Sequence, residues 1–369
     1  MDFDFNDEQE QLREACLRWV DKAYTFDRRQ NIVQQHGGFS AEAYQEMAEL
    51  GLSALYVPHE HDGMGMGPVE GMVVMESLGR GMVLEPLAQT LICSAVLAQH
   101  ANAPLQAQWL PRIASGEALV VLAHQEPRAR YNLSHCDTHA TAKGNGYEIS
   151  GHKSLVPCGD KAQAFLVPAL LNHKLALFLV EAPTSVRGYQ TQDGARAAEV
   201  QFKNSPAQLV TQSGLTALTQ AADIGSACVC AEAVGVMDKT LAITAEYMNT
   251  RKQFGVPIAS FQALRHRLAD MKMQLELARS MSYYATLKLQ ATEAERRQAI
   301  SRAKVQLGQS MRYVGQQAVQ LHGGIGVTDE YIISHYFKRL TQLEMTFGDS
   351  MHHLGEVAER MQETAGVFA

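Results

Sequence analysis

Through most of the segment 214–321, apolar side chains recur every third or fourth position, and no other feature of the 369-residue chain restricts its fold so narrowly. Val234, Met237, Leu241, Ala245 and Met248 form one stripe. Phe261, Leu264, Leu268, Met271, Leu275, Ala278, Ser282, Ala285 and Leu289 form a second. Ile300, Ala303, Leu307, Met311, Val314, Ala318 and Leu321 form a third. Residues three and four apart share one face of an α-helix, so each run must bury its stripe against a neighbour. With a fourth helix expected near 341–362, the spacing predicts an antiparallel four-helix bundle over 213–369.

Two regions precede it. Residues 1–117 read as helices. Asn6 or Asp7 is placed to cap the first, whose opening turn holds Glu8 and Glu10. Further helical runs are expected near 40–50, 68–81, 87–100 and 104–115, with the loop PHEHDGMGMGP (58–68) between two of them. From 118 to 212, short runs rich in strand formers are punctuated by Gly, Asn, Pro and Asp, and KGNGY (143–147) signals a hairpin. The expected fold is mostly α with a central β domain. An N-terminal helical domain (1–117) leads to a middle antiparallel β domain (118–212) and a C-terminal four-helix bundle (213–369).

Composition narrows the function. Thirty-two basic against 39 acidic side chains give a net charge of −7 with no basic patch, which argues against a nucleic-acid partner. Cys16, Cys93, Cys136, Cys158, Cys228 and Cys230 never form Cys-x-x-Cys, and read as reduced thiols of a cytoplasmic protein. The acidic opening lacks the apolar core of a signal peptide, and the most apolar stretch (164–180) is interrupted by Pro168, Asn172, His173 and Lys174, so no membrane span is expected. His135, Cys136, Asp137 and His139 have ligand chemistry, but on a strand or loop they do not share a helical face, and no metal is expected. His352 and His353, adjacent on a helix, are expected to point apart.

TRKQFGVPIASFQ (250–262) joins two of the predicted bundle helices. By itself it is an ordinary connection. Arg251 and Lys252 suit a helix C-terminus, Gly255 the C′ position, and Pro257 the start of the next helix. QLHGGIG (320–326) by itself is a turn that needs positive φ, and no strand precedes it as a dinucleotide fingerprint would require. The combination is more specific. A β region between two helical ones, RKQFG followed by FQ and LAD (268–270), and then QLHGGIGVTDEY together resemble the acyl-CoA dehydrogenase family over essentially the whole chain. The start MDFDFNDEQEQLRE and the end HYFKRLTQLEMTFGDSMHHL look like small subunits of two-subunit members acting on pimeloyl-type or steroid side-chain thioesters.

The resemblance implies FAD as cofactor, an acyl-CoA thioester as substrate, a larger homologous subunit as partner and electron-transfer flavoprotein as acceptor. It also implies that Arg251, Gln253, Phe254, Gln262, Gln320, Gly323 and Gly324 reach across an interface to a neighbour's FAD. There the Arg251 fork suits pyrophosphate oxygens, and the diglycine admits close backbone approach. The family's catalytic glutamate has no counterpart. The usual position after the diglycine is Phe347, and the alternative on the helix before RKQFG is Gly225. Glu344, Asp349 and Asp223 are nearby carboxylates, each readable as a displaced base or as a solvated or capping acid. In the β region, QEPRARYNLSH (125–135) and KSLVPCG (153–159) depart from the family pattern. They put Leu155 where an aromatic wall is usual and Pro157 where a hydroxyl would face the flavin. Groups for a neighbour's flavin persist while those for the chain's own are eroded, which suggests a division of labour in a hetero-oligomer. A homo-oligomeric flavoenzyme using a displaced acid and a non-catalytic structural subunit are the alternatives.

Overall fold

A computed structural model describes residues 5–144 and 146–364, with the side chains of 362–364 left aside. The N-terminal region holds α1 (Asp7–Lys22), α2 (Phe26–His36), α3 (Ala41–Glu49), α4 (Pro68–Arg80), α5 (Leu87–His100) and α6 (Ala103–Ala114). Asn6 caps α1 in a capping box. Its side chain accepts from the Gln9 N–H at 2.8 Å, and Gln9 Oε1 accepts in return from the Asn6 N–H at 3.1 Å. Helix α2 carries no clean apolar period (FDRRQNIVQQH), so the sequence reading passed over it.

Strands β1 (Val120–Leu122), β2 (His139–Lys143), β3 (Gly146–Pro157), β4 (Ala164–Leu171), β5 (Lys174–Val180), β6 (Ser185–Gln190) and β7 (Arg196–Thr211) form one sheet. Pairing runs β4–β2–β3–β7–β5 and returns from β5 to β4, so five strands close a circuit, with β1 on β4 and β6 on β7. Most pairs are antiparallel, as expected. The exceptions are β1–β4 and β2–β4, which are parallel. The β2–β3 hairpin forms where KGNGY signalled it, with Lys143 opposite Gly146; Asn145 lies outside the described residues.

The chain divides into two compact units. One comprises Asp27–Gly71 and Leu84–Gly225, and the other Met1–Phe26, Met72–Val83 and Ser226–Ala369. Inside the first unit the sheet is pinned by a buried ion pair, Lys153 Nζ to Glu126 Oε1 at 2.6 Å. Inside the second lie the long helices α7 (Gly214–Thr250, from Ser226 on), α8 (Gln262–Leu287) and α9 (Glu293–His322), followed by α10 (Ile332–Met345) and α11 (Ser350–Thr364). The predicted third stripe is wholly buried, and Met271, Leu275, Ala278, Ser282 and Ala285 of the second are buried with it. Each fully buried Leu or Met contributes about 1.5–3 kcal/mol relative to exposure, so these stripes dominate the bundle. The predicted fourth helix is in fact two, because Phe347 (φ 58°) and Gly348 (φ 112°) turn the chain through the left-handed region.

Candidate functional site

Helix α7 ends at Thr250, and the segment after it is not the plain connection its residues allow. Lys252–Gln253 (β8) pairs with Val256–Pro257 (β9) in a two-residue hairpin. Its central residues, Phe254 (φ 53°) and Gly255 (φ 82°), both have positive φ, as the tight hairpin turn requires. Gly255 therefore turns a hairpin and is not a helix C′ residue. Pro257 lies in β9 and leads into a 3-10 turn, Ile258–Ser260, before the next α-helix starts at Gln262. A phenylalanine held in the left-handed region is strained by about 1–3 kcal/mol, and such strain clusters at sites of contact. Phe254 is also 90% exposed, and its ring lies edge-to-face with Phe261, centroids 6.1 Å apart. Arg251, Gln253 and Gln262 are exposed with it, and among the described residues no ion pair engages the Arg251 guanidinium.

The diglycine lies in the same unit. Helix α9 ends at His322, and Gly323 (φ 65°, ψ −142°) leads into a 3-10 turn, Gly323–Val327. Gln320, Gly323 and Gly324 are exposed. A Cβ at Gly323 or Gly324 meets nothing within 4 Å, and φ at Gly324 is not left-handed. Among the described residues, nothing requires glycine at 324. Both segments rest on an aromatic seat that the sequence reading missed: Tyr247 stacks on His322 at 4.3 Å and Tyr331 flanks it at 5.3 Å.

Phe347 is half-buried, and its ring packs on the bundle core. The corner around it is closed by polar groups drawn from three helices. Lys304 Nζ donates to the carbonyls of Leu343 (3.2 Å), Glu344 (3.2 Å) and Thr346 (2.8 Å), satisfying the end of α10. Burial lowers this ammonium to about 8, against the opposing pull of Cys230, Glu344 and Asp349. His353 Nε2–H donates to the Phe347 carbonyl at 3.0 Å. Burial, with the Lys304 charge, pushes that imidazole down to about 2, so it is neutral. His353 turns inward for this bond, and its ring meets His352 edge-on at 5.1 Å rather than pointing away.

Two of the three carboxylates that could serve as displaced bases hold the turn into α11, and the third is buried. Glu344 Oε1 accepts from the Ser350 N–H (3.0 Å) and hydroxyl (2.6 Å), with Arg312 at 3.7 Å. Asp349 caps α11 through the His352 N–H at 2.8 Å. Asp223 is fully buried on α7, two residues before Gly225, in the unit that holds the sheet.

In that unit the departures in the β region have a visible form. Leu155 stands at φ 52° in a register shift of β3 and is 50% exposed, and Pro157 ends the strand. Glu126, His135 and Asp137 bring ligand atoms within 4.8 Å of one another. Glu126 is already engaged, however. It accepts from the Thr138 hydroxyl (2.6 Å), the Asp137 N–H (2.6 Å) and Lys153 (2.6 Å), and the ammonium there opposes a second cation. Burial raises this carboxyl, but Lys153 and the other donors outweigh it and bring it down to about 2. His139 is exposed on β2 and stands outside the group.

A helical region, a closed sheet, a long-helix bundle and an exposed arginine–phenylalanine–diglycine arm define a class of protein. Models of the acyl-CoA dehydrogenase N-terminal domain and C-terminal domain match residues 6–117 and 212–362, and the chain belongs to the acyl-CoA dehydrogenase family. Members are FAD flavoprotein oxidoreductases of acyl-CoA metabolism, and FAD is the cofactor. The chain is 24% identical to acyl-CoA dehydrogenase FadE27 of Mycobacterium tuberculosis, covering 99% of this chain and 100% of that one. It is similar in structure to a variant of the Tcur3481-Tcur3483 steroid ACAD (TM-score 0.90, 27% identity, 98% of this chain and 99% of that one). The ChsE4-ChsE5 complex from Mycobacterium tuberculosis shares the fold (TM-score 0.91, 24% identity, 99% of this chain and 100% of that one). Among the described residues no helix is long and apolar enough to cross a membrane.

Proposed function

We propose that this chain is one subunit of an FAD-dependent acyl-CoA dehydrogenase that oxidises an acyl-CoA thioester between Cα and Cβ, with the base and the main flavin site on a larger homologous subunit. The observation that carries the reading is the exposed arm. Phe254 is strained and 90% exposed, and at Gly323 and Gly324 a Cβ meets open space. The exposed ring and the open diglycine fit a flat, anionic cofactor approaching from a neighbour. Bound FAD would supply the acceptor for the hydride that leaves Cβ. Arg251 would neutralise its pyrophosphate with a charge-assisted fork, and Phe254 would pack on its adenine side. Gln253, Gln262 and Gln320 would donate to its polar edges, and Gly323–Gly324 would let backbone N–H groups come near.

At the position usual for the base, Phe347 has no group that can take a proton, and Gly225 has none either. Glu344 and Asp349 are committed to the turn into α11. On this reading a partner supplies the carboxylate that removes the α-proton. The ChsE4-ChsE5 complex is an assembly of two proteins, and we carry that arrangement to this chain. The three sequence regions, 1–117, 118–212 and 213–369, are proposed as its domains, and electron-transfer flavoprotein as the acceptor.

The test is to purify the chain alone and co-expressed with a larger homologue, then read visible flavin absorbance and its thioester-dependent bleaching. The expected result is a colourless lone chain that gains flavin and bleaching in the assembly. A yellow lone chain that bleaches with thioester would overturn the reading in favour of a homo-oligomeric enzyme. Bleaching in the assembly that is indifferent to Arg251 and Gly324 would leave this chain a structural subunit.

A further inference from the structure

We propose that Tyr247 and His322 are positioning residues that join the Arg251–Pro257 hairpin and the diglycine turn into one unit, so that both meet the cofactor in a fixed mutual geometry. The inference rests on the reading of the arm as cofactor-binding. Tyr247 lies in the last turn of α7, and its carbonyl accepts the N–H of Arg251 at 2.8 Å. Its ring stacks on His322 at 4.3 Å with 29° between planes, and its hydroxyl donates to the His322 carbonyl at 3.3 Å, one residue before Gly323. One residue thus touches both segments, its backbone carbonyl at the start of the hairpin segment and its side chain at the residue before the diglycine.

His322 completes the joint. It is 3% exposed, and its Nδ1–H donates to the Ala318 carbonyl at 2.8 Å. That bond leaves Nε2 as an acceptor, enclosed and, among the described residues, without a hydrogen-bond partner. Burial lowers the imidazole's pKa, which keeps the ring neutral. Tyr331, at the start of α10, closes the other side at 5.3 Å. A ring held here despite an unpaired nitrogen is there for its shape and its stack, because an unpaired buried acceptor only destabilises. By contrast, residues 251–256 of the hairpin segment and Gly323–Gly324 are exposed. Their relative placement depends on the joint.

The experiment measures backbone amide exchange in the full chain, alone and with its larger partner, together with FAD retained by the assembly. In His322→Ala, exchange should quicken in both 251–257 and 323–328, roughly two- to tenfold for the loss of one stacked ring. FAD retention should fall by a similar factor. His322→Phe, which keeps the ring and removes both nitrogens, should restore protection and FAD. Tyr247→Phe, which removes only the hydroxyl, should loosen both segments slightly. Loosening confined to 323–328, or a His322→Phe variant as loose as His322→Ala, would overturn the proposal. A lowered melting temperature without coupled loosening would overturn it too. Coupled loosening with FAD content unchanged upholds the joint and instead sinks the cofactor-arm reading.

Discussion

Replacing Glu344 by glutamine separates a catalytic acid from a carboxylate that merely closes a helix corner. The side chain is 12% exposed, and its Oε1 accepts from the Ser350 N–H at 3.0 Å and the Ser350 hydroxyl at 2.6 Å, with Arg312 at 3.7 Å. Glutamine keeps a carbonyl oxygen but loses the charge. A hydrogen bond to a charged group, worth about 1.5–3 kcal/mol, becomes a neutral one worth about 0.5–1.5, a net loss of about 1 kcal/mol. Glu344→Ala removes the acceptor entirely and leaves Ser350 without it, for about 1.5–3 kcal/mol. In a cooperative unit of this size the glutamine variant should melt about 2–4 °C lower and the alanine variant lower still. The assay pairs thermal unfolding with thioester-dependent flavin bleaching in the co-expressed assembly. Melting should drop in the order Gln then Ala, and bleaching should persist in both. The reverse pattern, an unchanged melting temperature with bleaching slowed by about 10²–10⁴, is the signature of a lost general base and would refute the structural role.

Arg251→Ala should weaken FAD retention about 10- to 100-fold, the equivalent of one charge-assisted contact of about 1.5–3 kcal/mol, without a shift in melting temperature; the reverse result would mean that the residue serves only the helix end. Gly324→Val should leave the lone chain's melting temperature nearly unchanged, because no atom lies within 4 Å of the added Cβ, yet flavin should be lost from the assembly. A variant that retains flavin would show that nothing approaches there. Lys153→Met should destabilise the sheet-bearing unit by about 3–5 kcal/mol, since it leaves the Glu126 charge buried without its partner. In the wild type, Glu126 is held below its ordinary value of 4.5, at about 2, so the stability it lends is complete above pH 4.5 and is lost as pH falls from there toward 2. An acid-unfolding midpoint that does not move between wild type and Lys153→Met would contradict this.

Much of the bundle is legible without coordinates, because the spacing that makes a stripe is local in the chain: Ile300 through Leu321 bury as their period requires. The capping of α1 by Asn6 is equally local. The absence of a base is a matter of residue identity, since Phe347 and Gly225 have no proton acceptor in any fold. What the coordinates add is the non-local part. Residues 341–362 carry a helical period, yet the chain breaks at Phe347 and Gly348. Lys304 on another helix collects the carbonyls of Leu343, Glu344 and Thr346, and His353 that of Phe347. Arg251 through Pro257 satisfy the rules for a helix end as well as those for a hairpin, and cross-strand pairing decides for the hairpin. Glu126 and Lys153 stand 27 residues apart, and nothing in either neighbourhood announces the pair. Short-range periodicity determines which face of an element is buried. Which polar groups meet across elements depends on how the chain folds back on itself, because a buried charge or carbonyl is stable only beside its partner, wherever in the chain that partner lies.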